Sequence, residues 1–465
     1  MKKSGFSRTS LASLAVCVSL VSVIAGCGGG KTESTTSPDK KAAEAGATAS
    51  VAGKKDDEKV TIHILTRYAG DDSHVGPLKD AKDAFIKLHP NVTIQDDSVA
   101  EEAAYNNKLK TAIATGETPG FFYYPSVAGL ADWAKNGLLM DITPLMADKS
   151  WSDGFISNSF EVWNLEKFGV KGHYAIPVEF APEVVYYNPD LFAKAGITKL
   201  PETMDDLNAA IDKLNAANII PFGTGAKDTW RTGHIHNNII YRTVGVDKVK
   251  DLGTRKAKWT DPDVVQSLAI LKDMKTKGAF QKGFEGIDYN TEKSDFLAGK
   301  SAMSVNGSWM IGEITNSNSP YKDKISFFPF PSLKDKPQFK SDSVMFNVGF
   351  MLSGTMKGLE KDMTIEFAKF FTGKEQQQNK LDKAKLLGSR TDTTSPEDAP
   401  KIFKDMVSYM TTIKEPGGDY FDYDPDPALT DTSRNAIIDM LLKFSPEEAA
   451  KKVQDEIDKY EAKKK

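Results

Sequence analysis

The sequence predicts an α/β fold. Two observations carry that reading: strand-like and helix-like runs alternate through the body of the chain, and helix starts are marked by capping residues and prolines; the 40% of hydrophobic residues allows a sizeable core. Setting aside a leader and a linker leaves roughly 400 residues, enough for one large two-lobed unit or two ordinary domains.

Val60 to Thr66 alternates apolar and polar residues as a half-buried strand does. A polar loop from Arg67 to Pro77 follows. Leu78 to Leu88 is spaced as a helix, with Ala81, Ala84, Phe85 and Leu88 on one face. Val92-Thr93-Ile94 reads as a second strand and Tyr105 to Ala114 as a second helix. The run Thr115-Gly116-Glu117-Thr118-Pro119-Gly120 breaks that helix before a third strand, Phe121 to Tyr124. Strands separated by helices indicate a largely parallel sheet. Thr203, with Asp206 three residues on, makes a near capping box ahead of Leu207 and Ile211. Asp261-Pro262 opens a helix through Met274, and Ser445-Pro446-Glu447-Glu448 opens another near the C-terminus. No internal repeat is visible.

The first residues read as an address. Met1 to Arg8 is basic, and Leu11 to Ile24 is apolar but too short for a comfortable membrane span. Ala25 and Gly26 then precede Cys27. The run Val23-Ile24-Ala25-Gly26-Cys27 resembles the bacterial lipobox, which implies a signal peptide at 1–26 and a diacylglycerol (palmitate-bearing) anchor on Cys27. The other cysteine, Cys17, lies inside the leader, so the mature fold is expected to hold no disulfide. Residues 27–58 are rich in Gly, Ser, Thr, Ala, Lys and Asp and read as a flexible low-complexity tether. With Lys2, Lys3 and Arg8 lost in the leader, the 60 basic residues fall to 57 against 64 acidic ones, a net of −7. That mild acidity, spread along the chain, argues against a nucleic-acid partner.

The middle of the chain carries Gly172-His173-Tyr174-Ala175-Ile176-Pro177-Val178-Glu179, then Val185-Tyr186-Tyr187-Asn188-Pro189-Asp190-Leu191-Phe192. Later come Phe296-Leu297-Ala298-Gly299-Lys300-Ser301-Ala302-Met303, Asn306-Gly307-Ser308-Trp309 and Phe444-Ser445-Pro446-Glu447-Glu448-Ala449. In this order, over about residues 60 to 460, the sequence resembles the family-1 extracellular solute-binding proteins of ABC importers, the maltose-binding-protein-like group. It departs at Thr203-Met204-Asp205, where that family often has tryptophan. The resemblance implies a two-lobed periplasmic-binding-protein-like fold with a ligand cleft between the lobes. Lobe 1 is then expected at about 59–180 plus 331–372 and lobe 2 at about 181–330 plus 373–465. A first crossing falls near Glu179 to Val184 and a return between Pro331 and Phe350.

A sugar has apolar C–H faces and a rim of hydroxyls, so a site for it needs aromatic planes and planar polar groups. Trp309 follows a turn-like Asn306-Gly307 and matches the family position of a stacking tryptophan. Trp230 sits in a polar stretch, Gly225 to Arg231. Both are expected to project from loops, on opposite sides of the cleft. Glu179 stands on the crossing strand, where the family often places a hydroxyl-binding acid. Arg67 and Tyr68 end the first strand, and Tyr124 ends the third. Trp133, Trp163 and Trp259 read as helix-packing residues, and Trp151 is left unassigned.

Other patterns weigh less. His234 and His236 fall at a helix start, where side chains two apart diverge, so no zinc site is expected. Asp419, Asp422, Asp424 and Asp426 lack the regular calcium loop and read first as a solvated acidic loop, with a calcium site or a cleft-edge loop as alternatives. No nucleophile elbow, phosphate loop or reactive cysteine appears. The expected function is therefore sugar capture without catalysis or cofactor. The protein would be a monomer, lipid-anchored on the outer face of the membrane, in the manner of a Gram-positive bacterium, and would deliver its ligand to ABC permease subunits. A lipid-tethered glycoside hydrolase or lyase, or a ligand-presenting sensor lipoprotein, are the alternatives.

Overall fold

The computed structural model describes residues 58–463, apart from 128, 157, 158 and 425. The signal peptide, the tether and Cys27 lie outside the described residues. Among the described residues no helix is long and apolar enough to cross a membrane.

Among the described residues nine strands join in one hydrogen-bonded network. They are β1 (Val60–Leu65), β2 (Val92–Asp96), β3 (Phe121–Tyr124), β4 (Ile176–Tyr187), β5 (Ile220–Phe222), β6 (Ser301–Gly307), β7 (Ser326–Phe328), β8 (Asp342–Leu352) and β9 (Glu415–Gly417). The main order is β2-β1-β3-β8-β4-β6-β5. Pairing is parallel for β1 with β2 and β3, and for β5 with β6, but antiparallel wherever β4 meets β6 or β8 and where β3 meets β8. The sheet is thus mixed, not largely parallel. The expectation missed this because β8, which begins more than 200 residues after β3 ends, inserts between β3 and β4.

Two strands run through the waist of the molecule. Along β4, residues 176–182 pair with β8 and residues 183–187 pair with β6. Along β8, residues 342–344 pair with β9 while 349–352 pair with β3. On one side of the waist a core gathers Ile62, Ile64, Phe85, Phe121, Phe350 and Phe367. On the other side the strand period of two separates two cores: Val185 faces Leu207, Ile239 and Met303, whereas Val184 and Tyr186 face Phe296, Ile311 and Phe403. A strand buried on both faces reads as the near-continuous apolar run seen at Val184 to Tyr187.

The local signals resolve as follows. The helix Val75–Leu88 buries Leu78, Ala81 and Phe85, but Leu88, in its last turn, is exposed, and the helix takes in residues 75–77 that read as loop. Glu101 caps the helix Glu102–Thr115 by accepting from the amides of Ala103 and Ala104, and Gly116 ends it at φ 74°. Thr203 and Asp206 form a full capping box on the helix Met204–Ala216, and Met204 is buried in the core as a structural residue. Proline opens the helices Pro262–Thr276 and Pro446–Lys463.

Candidate functional site

A cavity of about 760 Å³ lies at the waist, and Arg67, Tyr68, Tyr124, Glu179, Trp230 and Trp309 all line it. Strand ends and helix starts put them there. β1 ends just before Thr66, whose hydroxyl bonds Ser98 Oγ at 2.8 Å and accepts from the Tyr68 amide at 2.9 Å. This turn fixes Arg67 and Tyr68 at the edge of the sheet.

The floor is a buried charge chain. The Tyr68 ring stacks on the His74 imidazole, 4.1 Å away and 6° from parallel. His74 Nδ1 lies 2.8 Å from Asp72 Oδ1, and its Nε2 contacts Glu179 Oε1. Burial alone would discharge this histidine, but the Glu179 and Asp72 carboxylates outweigh it and raise the imidazolium pKa to about 9. Burial would raise the Glu179 pKa, yet the His74 charge holds it below the ordinary value. Lys380, also buried, donates to the Val178 carbonyl at 3.1 Å behind the same strand. Glu179 is therefore a buried carboxylate that lines the cavity.

The opposite wall is aromatic. Trp230 and Trp309 are part-buried, with ring centroids 6.4 Å apart at 65°. The two tryptophans thus share one wall, contrary to the expectation that they face each other. Neither is on a loop: Trp230 opens the helix Trp230–Gly253 and Trp309 opens the helix Trp309–Asn316. Asn306-Gly307 ends β6 instead of forming a turn. Gly307 is required there, because a Cβ would sit 1.9 Å from the Trp309 ring. The Trp309 indole donates to the Tyr289 hydroxyl at 3.0 Å. Behind Trp230 the Arg231 guanidinium lies 4.7 Å from the ring centre, fixed by a buried ion pair with Glu292.

Glu102 links the walls. Its Oε2 accepts from Arg67 Nη1 at 3.0 Å and from the Trp230 indole at 2.6 Å. Glu313 makes a second link, accepting from Lys293 at 2.8 Å and from the Ser73 amide at 3.3 Å. His74, Glu102, Tyr289 and Glu313 were not singled out from sequence. Only Glu102 carries a local hint, as the first helical residue after a cap.

Other sequence candidates fall as follows. Trp133, read as a packing residue, lines the cavity beside Tyr124, with ring centroids 5.0 Å apart. Trp163 and Trp259 are buried in the cores, and buried Trp151 donates to Thr372 at 3.0 Å. His234 points to the cavity and Glu183, while His236 is buried against Ser267, where desolvation lowers its pKa to about 3. The acidic stretch is not a solvated loop. Asp419 is buried and lines the cavity, Asp424 accepts two bonds from Arg255, and Asp426 caps the helix Pro427–Leu442. Among the described residues no cluster of His, Cys, Asp and Glu is placed to hold a metal ion.

A family model described as bacterial extracellular solute-binding protein matches residues 71–378. The multiple sugar-binding protein of Streptococcus mutans is 23% identical over 291 residues, 61% of this chain and 65% of that protein. The maltotriose-binding protein of Pyrococcus abyssi is 25% identical over 306 residues, 62% of this chain and 57% of that one. The chain thus spans less than two thirds of the length of these relatives. A solved chitin oligosaccharide binding protein superposes with a TM-score of 0.78 at 26% identity, covering 86% of this chain and 98% of its own. RafE in complex with raffinose superposes at 0.69 and 21% identity, covering 85% and 98%, a likeness of fold alone.

Proposed function

The chain belongs to the bacterial extracellular solute-binding proteins, and on that footing we propose that it captures a sugar, in particular an oligosaccharide, outside the cell and delivers it to an ABC importer while anchored through Cys27. The observation that carries the sugar reading is the pairing of two walls in one cavity: part-buried indoles on one side and carboxylates on the other. Indole faces cover the C–H surfaces of a pyranose, and Glu179, held ionised, accepts from its hydroxyls. A cavity of about 760 Å³ accommodates more than one sugar ring. The sugar-binding names of the relatives above support the same reading.

Binding here involves no chemistry on the ligand. Calorimetric titration with maltotriose, xylotriose, chitotriose and raffinose is expected to give one saturable site with at least one of them, and chromatography of the mixture to show no product. Absence of binding across a wider saccharide panel, or turnover of any member, refutes the proposal.

A further inference from the structure

We infer that the cleft selects uncharged sugars and rejects those bearing a carboxylate or phosphate; this rests on the sugar-binding reading above. An anionic ligand needs a cation whose charge is not already balanced by a protein carboxylate. The part-buried and buried cations of the cavity have already been spent on protein carboxylates. Arg67 is paired with Glu102 at 3.0 Å through Nη1, so its charge is balanced although its buried Nε makes no hydrogen bond; Lys293 is paired with Glu313 at 2.8 Å, and His74 is held between Asp72 and Glu179. Arg434 stands 3.7 Å from Asp419, which lies equally far from His234 Nε2. The remaining lining cation, Lys110, is solvent-exposed at the rim, as are Asp71 and Asp431.

The pairing is also locked by geometry. Glu102 and Glu313 each hold, besides their cation, a donor from the far side of the cavity: the Trp230 indole and the Ser73 amide. Neither acid can turn away to release its cation without losing that second bond. A ligand carboxylate would therefore be desolvated beside acids that already neutralise the cations, a juxtaposition that costs affinity steeply. Ligand hydroxyls meet no such conflict, because they can donate to the same carboxylates. Arg67, a candidate from sequence, acts through Glu102 to orient the wall, not as an anion hook.

The test compares trigalacturonic acid with the neutral trisaccharides by calorimetry on the purified mature protein, before and after Glu102→Gln and Glu313→Gln. At least one neutral sugar is expected to bind on the order of a hundredfold tighter than trigalacturonate. Each Gln variant, by freeing Arg67 or Lys293, is expected to narrow that ratio at least tenfold. Trigalacturonate binding as tightly as the neutral sugars overturns the charge inference and leaves the sugar reading standing. Failure of all saccharides, charged and neutral, overturns both. Folding of the variants is checked by melting curves, and Glu102→Asp, which keeps the charge, is expected to retain the discrimination. Loss of discrimination in Glu102→Asp equal to that in Glu102→Gln also refutes the inference.

Discussion

Replacing Trp309 with alanine should weaken sugar binding about thirtyfold. Full burial of a tryptophan removes about 150–250 Å² from water, and Trp309 is part-buried, so on the order of 80 Å² of ring is left for a ligand to cover. At ~25 cal/mol per Å² that surface is worth about 2 kcal/mol, or a factor of about thirty in affinity. Stability should fall too, because the substitution strips the Tyr289 hydroxyl of its indole donor and leaves Trp230 without its edge-on neighbour. Losing this part-buried hydrogen bond costs about 1–2 kcal/mol, so the variant should remain folded. Trp309→Phe keeps a plane and loses only the N–H, and should lie between. Titration calorimetry and a melting curve on the same sample separate the effects. If affinity stays within threefold while the melting temperature collapses, Trp309 is a packing residue and the aromatic-wall reasoning is wrong.

Cys27→Ala should abolish acyl labelling and leave the protein unprocessed or released from cells; unchanged labelling and membrane retention would exclude anchoring at this residue. The Glu102–Trp230 and Glu313–Ser73 bonds already span the two walls here, so the sugar-free protein is expected to part them and sugar to restore them; small-angle scattering at saturating sugar should then show a smaller radius of gyration, and an unchanged radius would count against closure. His74 has a folded pKa raised to about 9 by Glu179 and Asp72. Its contribution, on the order of 3 kcal/mol, is fully present below about pH 6.5 and is lost as pH rises through 9. Glu179, shifted down, contributes the opposite limb: full above its unfolded pKa and lost as pH falls through its folded one. Urea midpoints measured from pH 6 to 10 should fall at the alkaline end for the native chain and flatten in His74→Gln; equal slopes in both would refute the assignment to His74.

Local order was written in short stretches of sequence. The alternation in Val60 to Leu65, the Thr203–Asp206 box, the break at Gly116 and the prolines at 262 and 446 each act through backbone groups a few residues away, so no tertiary partner is needed to read them. The residues quoted for the family resemblance were legible in the same way and led to Trp309 and Glu179, while strand ends led to Arg67, Tyr68 and Tyr124 and a polar stretch to Trp230. What a side chain faces is another matter. Trp133 occupies a helical position that fits packing equally well, and only the placement of the helix Leu130–Lys135 beside Tyr124 turns it to the cavity. His74, Glu102 and Glu313 sit in unremarkable polar contexts, and their roles arise from partners 105, 128 and 240 residues away. The insertion of β8 between β3 and β4, which makes the sheet mixed and forms the waist, is likewise a long-range choice. Burial of both strand faces and pairing of buried charges decide it, and both are properties of the assembled cores that hydrophobic period along the chain does not encode.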